Sequence, residues 1–220
     1  MYSEMLKTDM VKGKSSQSDY YHFIYDESER LSRLINNVLQ LSNLSQEQNS
    51  AKLEYVSIEV LQDIIRSKVS SLIEKNNFTL IFKLENDILP SCQGLVDLDA
   101  FSQIVINLVD NSVKFYQAAN ISDEKRQRIE ISFSQDKASS NKLIFSIRDF
   151  GPGISKSQHD KIFDLFYRCG NELTRTTSGT GIGLALVHQL VSAQQGQIQV
   201  NRHTEGVAFE ITFTAKTAEL

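Results

Sequence analysis

Six of the ten glycines in this 220-residue chain (Gly151, Gly153, Gly170, Gly179, Gly181 and Gly183) fall within a stretch of 33 residues. Glycines that dense mark backbone held at unusual angles or brought against a ligand. One group, Asp149-Phe-Gly-Pro-Gly-Ile154, follows a strand pattern. The other, Ser178-Gly-Thr-Gly-Ile-Gly-Leu-Ala-Leu186, opens a helical one. Any fold for this chain has to accommodate both turns.

The frame around them reads as mixed α/β. Lys52–Ser57 is expected to be a short strand, Ile58–Lys75 a helix, and Phe78–Leu84 and Gly94–Leu98 two further strands. Asp99 is a good N-cap for a helix running to about Ala118. Gln127–Gln135 alternates, with Ile129, Ile131 and Phe133 on one face, and Leu143–Asp149 turns Leu143, Phe145 and Ile147 inward. A helix from about Ile182 to Gln194 and strands at Gln197–Arg202 and Val207–Thr214 follow. Helices grouped against a mixed, largely antiparallel sheet give an α/β sandwich.

Residues 1–50 differ in kind. Leu31, Leu34, Ile35, Val38, Leu41 and Leu44 recur at steps of three and four, a seam along one side of a helix between Asp26 and Ser45. Met1–Met10 reads as the tail of an earlier helix and Lys12–Ser18 as a polar connection, together a helical hairpin. So narrow a hairpin cannot bury its seam alone, so it is expected to pack on a second copy. The alternative is a single amphipathic helix docked on the domain that follows. The division expected is therefore 1–50 and 51–220.

Charge and cysteine content exclude several classes. The 23 basic and 27 acidic side chains leave a net charge of −4, which gives no support to a nucleic-acid surface. Cys92 and Cys169 have no partner motif, which argues against a disulfide framework or a zinc site and for a reducing compartment. No apolar run approaches the roughly 20 residues of a membrane span.

The helix over Asp99–Ala118 gathers Phe101, Ile104, Val105, Leu108 and Phe115 on one side and Gln103, Asn107, Asp110, Asn111 and Lys114 on the other. A solvated face would account for the polar stripe, but asparagine is a poor helix former. Two asparagines one turn apart, then a lysine a turn further, suit a hard cation and phosphate oxygens. Asp149 continues the inward row of Phe145 and Ile147, and a buried carboxylate there needs hydrogen bonds. It suits an exocyclic amino group such as adenine N6, although a plain Asp-Gly turn is equally compatible. The glycine triplet lets N–H groups at a helix start face an anion. It matches neither the P-loop nor the dinucleotide pattern.

In order, Asn107-Leu-Val-Asp-Asn111-Ser-Val-Lys114-Phe115 resembles the N box of sensor histidine kinases and Asp149-Phe-Gly-Pro-Gly-Ile154 their G1 box. Ile162-Phe-Asp-Leu-Phe-Tyr-Arg168 is similar to their F box and Gly179-Thr-Gly-Ile-Gly-Leu184 to their G2 box. Ser28–Ser42 resembles the second helix of their dimerisation and phosphoacceptor hairpin. The similarity to the catalytic domain covers about Lys52 to Thr214.

The resemblance implies the Bergerat fold, shared with gyrase, mismatch-repair and chaperone ATPases. It implies ATP and Mg²⁺ as cofactors, transfer of the γ-phosphoryl to a histidine, and relay to a response regulator receiver domain. By the same carry-over Asn111 would hold Mg²⁺, Asn107 would support it near the phosphates, and Lys114 and Arg168 would meet phosphate. Phe115, Asp149, Gly151, Gly153, Ile154, Gly179, Thr180, Gly181, Ile182, Gly183 and Leu184 would line the nucleotide, with Asp149 on adenine N6. Residues 155–178 would form a lid, with Phe163 and Phe166 packed as its anchors. The parent protein would be anchored in a bacterial inner membrane, with this part on the cytoplasmic side.

Two positions depart from the family pattern. Val207 follows Gly206 where the family carries a serine or threonine that helps a water network beside the adenine-binding aspartate. None of His22, His159, His188 and His203 sits in a His-Glu or His-Asp box on the first hairpin helix, so the phosphoacceptor is expected to be missing from this chain. Two other functions stay open at this point. One is a Bergerat ATPase doing conformational work, disfavoured because those enzymes carry a basic glutamate where Asn107 stands. The other is a dimerising scaffold that binds no nucleotide, disfavoured by Asn111, Lys114, Asp149 and the glycine triplet.

Overall fold

The computed structural model describes residues 14–46, 51–84, 91–136, 139–168 and 180–217. The expectation of an earlier helix at Met1–Met10 lies outside them. Helix α1 spans Lys14–Gln46 without a glycine or proline. Lys14–Ser18, expected as a connection, is therefore its first turn: polar residues alone do not end a helix when nothing in them breaks it. Leu31, Ile35 and Val38 of the seam stay 56%, 51% and 46% exposed, although α1 touches a helix near the C-terminus, described below.

Strand β1 (Glu54–Ser57) leads straight into α2 (Ile58–Lys75), where the Ser57 side chain accepts from the Val60 N–H as N-cap. Ile58, Leu61, Ile65, Val69 and Ile73 bury one stripe of α2. Strand β2 (Thr79–Leu84) and β3 (Cys92–Val96) precede α3 (Leu98–Ala118). Asp97, not Asp99, caps α3: its backbone is extended and its side chain accepts from the Asp99 and Ala100 N–H groups, both at 3.0 Å. The cap ends β3 two residues earlier than the sequence pattern suggests.

Strands β4 (Arg128–Asp136) and β5 (Ser139–Asp149) form a hairpin. After the glycine-rich segment come α4 (Gly183–Ala193), β6 (Gln197–Arg202) and β7 (Val207–Thr217). The sheet order is β1-β3-β7-β5-β4-β2, with β6 also on β7. Among these pairs only β2–β4 is parallel. The sheet is thus mixed and largely antiparallel, packed with helices, as the sequence pattern leads one to expect. β7 runs past Thr214 because its last residues pair with β3, Gly94 with Ala215 and Cys92 with Thr217.

The inward rows align across the three central strands: Phe133 beside Phe145 beside Ile211, and Ile131 beside Ile147 beside Phe209. Phe101 of α3 lies 5.0 Å from Phe145 and 6.2 Å from Phe213, ring centre to ring centre. Each such side chain contributes roughly 1.5–3 kcal/mol on burial. The α3 helix sits between α2 and α4, with Asn107 and Asn111 of its polar stripe beside Gly183.

Candidate functional site

Asp149 closes the inward row of β5, opposite Ile129 of β4. It is 8% exposed, a carboxylate at the open end of an apolar core. Its Oδ1 accepts from the Gly151 N–H at 2.9 Å, and the Val207 N–H also donates to the carboxylate. Burial nevertheless pushes its pKa up to about 6, against the pull of those two donors and of the Arg148 and Arg126 charges. Val207 thus supplies a main-chain donor beside the aspartate, at the position where the family pattern has a hydroxyl.

Two turns interlock to make this environment. Gly206, between β6 and β7, has φ +76, and a Cβ there would lie 2.0 Å from the Asp149 carbonyl oxygen. Only glycine permits that approach. Gly151 lies against the last turn of α3, where a Cβ would come within 3.9 Å of the Tyr116 nitrogen. Arg126, which stands in none of the sequence motifs, donates from Nε to the Phe150 carbonyl at 2.9 Å and from Nη2 to the Gly151 carbonyl at 2.8 Å.

The rest of the site lies further back along α3, from its middle onward. Asn107 Nδ2 donates to the Gln103 carbonyl at 2.8 Å. A Cβ on Gly183, the first residue of α4, would stand 3.2 Å from Asn107 Oδ1 and 3.9 Å from Asn111 Nδ2. The two amides therefore flank the start of α4, where N–H groups lack helical partners. Lys114 Nζ pairs with the Asp110 carboxylate one turn back, so the cation expected to meet phosphate is held within the helix here. Phe115 is 39% exposed, unlike the other members of the apolar stripe: it faces outward beside the polar face.

The segment between the two glycine motifs begins with short 3₁₀ turns at Lys156–Gln158 and Lys161–Phe163. Ile162 is buried, and Phe163 is half-buried with its ring 5.5 Å from that of His188. Phe166 is not a packed anchor. It is 64% exposed at φ +64, and its N–H donates to the Gly181 carbonyl at 2.9 Å. Its backbone, rather than its ring, ties this segment to the second glycine motif. Arg168 is half-buried at the end of the described segment, and Gly179 lies outside the described residues.

Thr180 Oγ1 accepts from the Ile182 N–H at 3.4 Å. The Ile182 side chain is fully buried, while Ile154 and Leu184 pack half-buried on the core. Of the sequence-expected residues, the structure gathers Asp149, Gly151 and Gly153 by the C-terminal end of α3 and Asn107, Asn111 and Gly183 beside its middle. Arg126 carries no sequence signal because its role lies in contacts made across the fold, and the parts played by Gly206 and Val207, named in the sequence only as a departure from the family pattern, are those of backbone groups.

Residues 96–217, more than half of the chain, match the model of the family described as histidine kinase-, DNA gyrase B- and HSP90-like ATPase. The chain is 29% identical over 213 residues to the sensor protein kinase WalK of Staphylococcus haemolyticus, covering 97% of itself and 33% of that protein. It is 28% identical over 214 residues to the sensor histidine kinase WalK of Bacillus subtilis, with the same coverage of each chain. It thus spans about a third of the length of these curated relatives. Its fold is similar to that of the Acinetobacter baumannii histidine kinase AdeS (TM-score 0.70, 20% identity, covering 97% of this chain and 91% of that one). Full-length ShkA in complex with AMPPNP is also similar (TM-score 0.71, 24% identity, covering 96% and 42%). The chain belongs to the histidine kinase-, DNA gyrase B- and HSP90-like ATPase family.

Proposed function

We propose that this chain is the ATP-binding kinase core of a sensor histidine kinase. It would donate the ATP γ-phosphoryl to a histidine for relay to a response regulator receiver domain. The observation that carries the reading is Asp149, a buried carboxylate fixed by two main-chain donors at the C-terminal end of a helix whose middle presents two amides to a helix start. A base with an exocyclic amino group fits the first place, and a polyphosphate fits the second. The WalK relatives and the AMPPNP complex of ShkA support it by likeness.

Residues 51–220 would form the catalytic domain. Residues 1–50 would belong to a dimerising hairpin, supported by the exposed Leu31, Ile35 and Val38 on α1. No described helix is long and apolar enough to cross a membrane, so the membrane anchor of the parent protein would lie elsewhere in it.

The residues at the α4 start also fit Mg²⁺. No group of three His, Cys, Asp or Glu side chains among the described residues could hold a metal. A site shared between the Asn111 amide oxygen and phosphates is what such a donor set allows, since Mg²⁺ is commonly held by few protein oxygens plus substrate phosphates. When bound, the metal would neutralise charge on the phosphates. Asn107 accepts at Oδ1 and donates at Nδ2, but takes no proton, so it orients rather than acting as a base for water. Lys114 would exchange its Asp110 partner for phosphate. Catalysis on this account rests on positioning and charge neutralisation, without a protein nucleophile.

Titration calorimetry with ATP on the parent chain and on Asp149→Asn tests the reading. The amide turns an N–H toward the donating amino group, and losing a charge-assisted hydrogen bond costs on the order of 1.5–3 kcal/mol, roughly 10- to 150-fold in affinity. Equal ATP affinity in the two proteins would overturn it.

A further inference from the structure

Arg126 lies outside every motif apparent in the sequence, yet it reaches both turns that hold Asp149. It ends a short 3₁₀ turn, Glu124–Arg126, whose start is capped by the Asp123 side chain. Its Nε and Nη2 take the carbonyls of Phe150 and Gly151. Its third nitrogen, Nη1, lies 4.0 Å from Glu205 Oε1, in the turn whose next residues, Gly206 and Val207, back onto Asp149. A planar guanidinium can serve three directions at once, and an ammonium cannot do so with the same geometry.

The Phe150 carbonyl and the Gly151 N–H are the two ends of one planar peptide unit. Arg126 holds the carbonyl end at 2.9 Å, and the N–H end donates to Asp149 Oδ1, also at 2.9 Å. Fixing one end fixes the direction of the other. A cation on the carbonyl also polarises the amide and makes its N–H a stronger donor. The Phe150 ring is itself held, with the Arg128 guanidinium 3.8 Å and the Arg148 guanidinium 4.5 Å from its centre. The peptide therefore has little freedom to turn.

We propose that Arg126 is a positioning residue for base recognition: by clamping the glycine turn after β5 to the β6–β7 turn, it orients the Asp149 carboxylate that receives the base amino group. The inference rests on the adenine reading of Asp149 given above. Arg126 acts through the peptide it holds and makes no contact with the base. Its side chain is 22% exposed and stands outside the inward-facing core row.

The test compares ATP with inosine triphosphate, which keeps the sugar and phosphates but carries a carbonyl in place of the amino group. Both are titrated with Mg²⁺ into the parent chain, Arg126→Gln, Arg126→Lys and Asp149→Asn. Arg126→Gln should lose about tenfold in ATP affinity while its inosine triphosphate affinity stays within about twofold. Arg126→Lys keeps the charge without the fork and should recover only part of the loss. Should Arg126→Gln prove unfolded by circular dichroism, Glu205→Gln, at the exposed end of the clamp, carries the same comparison with a smaller loss for ATP alone. An equal loss for both nucleotides would mean a general structural role and would overturn the proposal. Unchanged ATP affinity in Arg126→Gln, with Asp149→Asn impaired, would overturn it too. If Asp149→Asn itself keeps full ATP affinity, the adenine reading fails first and this inference falls with it.

Discussion

Withdrawing the Asp149 carboxylate from water raises its pKa from 3.8 to about 6, and the sign of that shift fixes how stability depends on pH. Between those values the native chain keeps a proton that the unfolded chain has released. Unfolding therefore releases protons there, and stability falls as pH rises through that window, then stays lowered above about 6. The shift corresponds to about 3 kcal/mol. Asp149→Asn should remove this contribution. In urea unfolding without nucleotide, the mutant should match the parent near pH 4 and exceed it by up to about 3 kcal/mol at pH 7. A parent–mutant difference that stays flat from pH 4 to 7 would contradict the burial argument. The same substitution would then stabilise the fold and impair ATP binding, a trade-off common where a site is held under strain. At this scale the aspartate was legible, because Phe145 and Ile147 set the alternation that turns it inward. Its partners were not. The Val207 N–H is a backbone group, and the Arg126 side chain arrives from a turn 25 residues before Gly151.

The elements themselves follow their sequence patterns closely where periodicity is strong. Helix α2 matches its expected bounds, Ile58–Lys75, since Ser57 caps it and apolar residues recur along one stripe. Boundaries shift where pairing partners decide them. The sequence pattern points to Asp99 as the cap of α3, and the pairing of β3 with β1, which ends at Val96, puts Asp97 there instead. Phe166 misleads for a different reason: an aromatic residue reads as a packing anchor, but its positive φ and its N–H bond to Gly181 turn the backbone into the contact and leave the ring outside. Helix α1 spans the stretch where apolar residues recur at steps of three and four, and Leu31, Ile35 and Val38 are about half exposed. The dimer reading predicts that sedimentation equilibrium finds a dimer for the parent chain and a monomer for the double substitution Ile35→Asp, Val38→Asp, with ATP affinity unchanged. A parent chain that stays monomeric at tens of micromolar would contradict it.

For the whole molecule, α3 is the organising strut. One flank carries Phe101, Ile104, Val105 and Leu108 into the sheet. Its polar flank begins beside the start of α4 and its last turn meets the glycine turn after β5. Both ends of a nucleotide would thus be read from one rigid element, which suits a reaction that depends on positioning. The family likeness was legible because four motifs occur in order. The closure of the sheet by β7, which brings Gly206 and Val207 onto Asp149, was not, because it depends on pairing between strands far apart in sequence. The central claim, a kinase rather than a hydrolase, turns on where the γ-phosphoryl goes. On the reading proposed above, none of His22, His159, His188 and His203 serves as the phosphoacceptor, so the test supplies one. The most direct measurement incubates the chain with γ-labelled Mg·ATP and a separate helical hairpin bearing a His-Glu box, then scores acid-labile phosphate on the hairpin against free phosphate. The account predicts acid-labile label on the hairpin, none on the chain itself, and none anywhere with Asp149→Asn. Rapid release of free phosphate with an unlabelled hairpin would contradict it and assign the chain to the hydrolytic branch of its family.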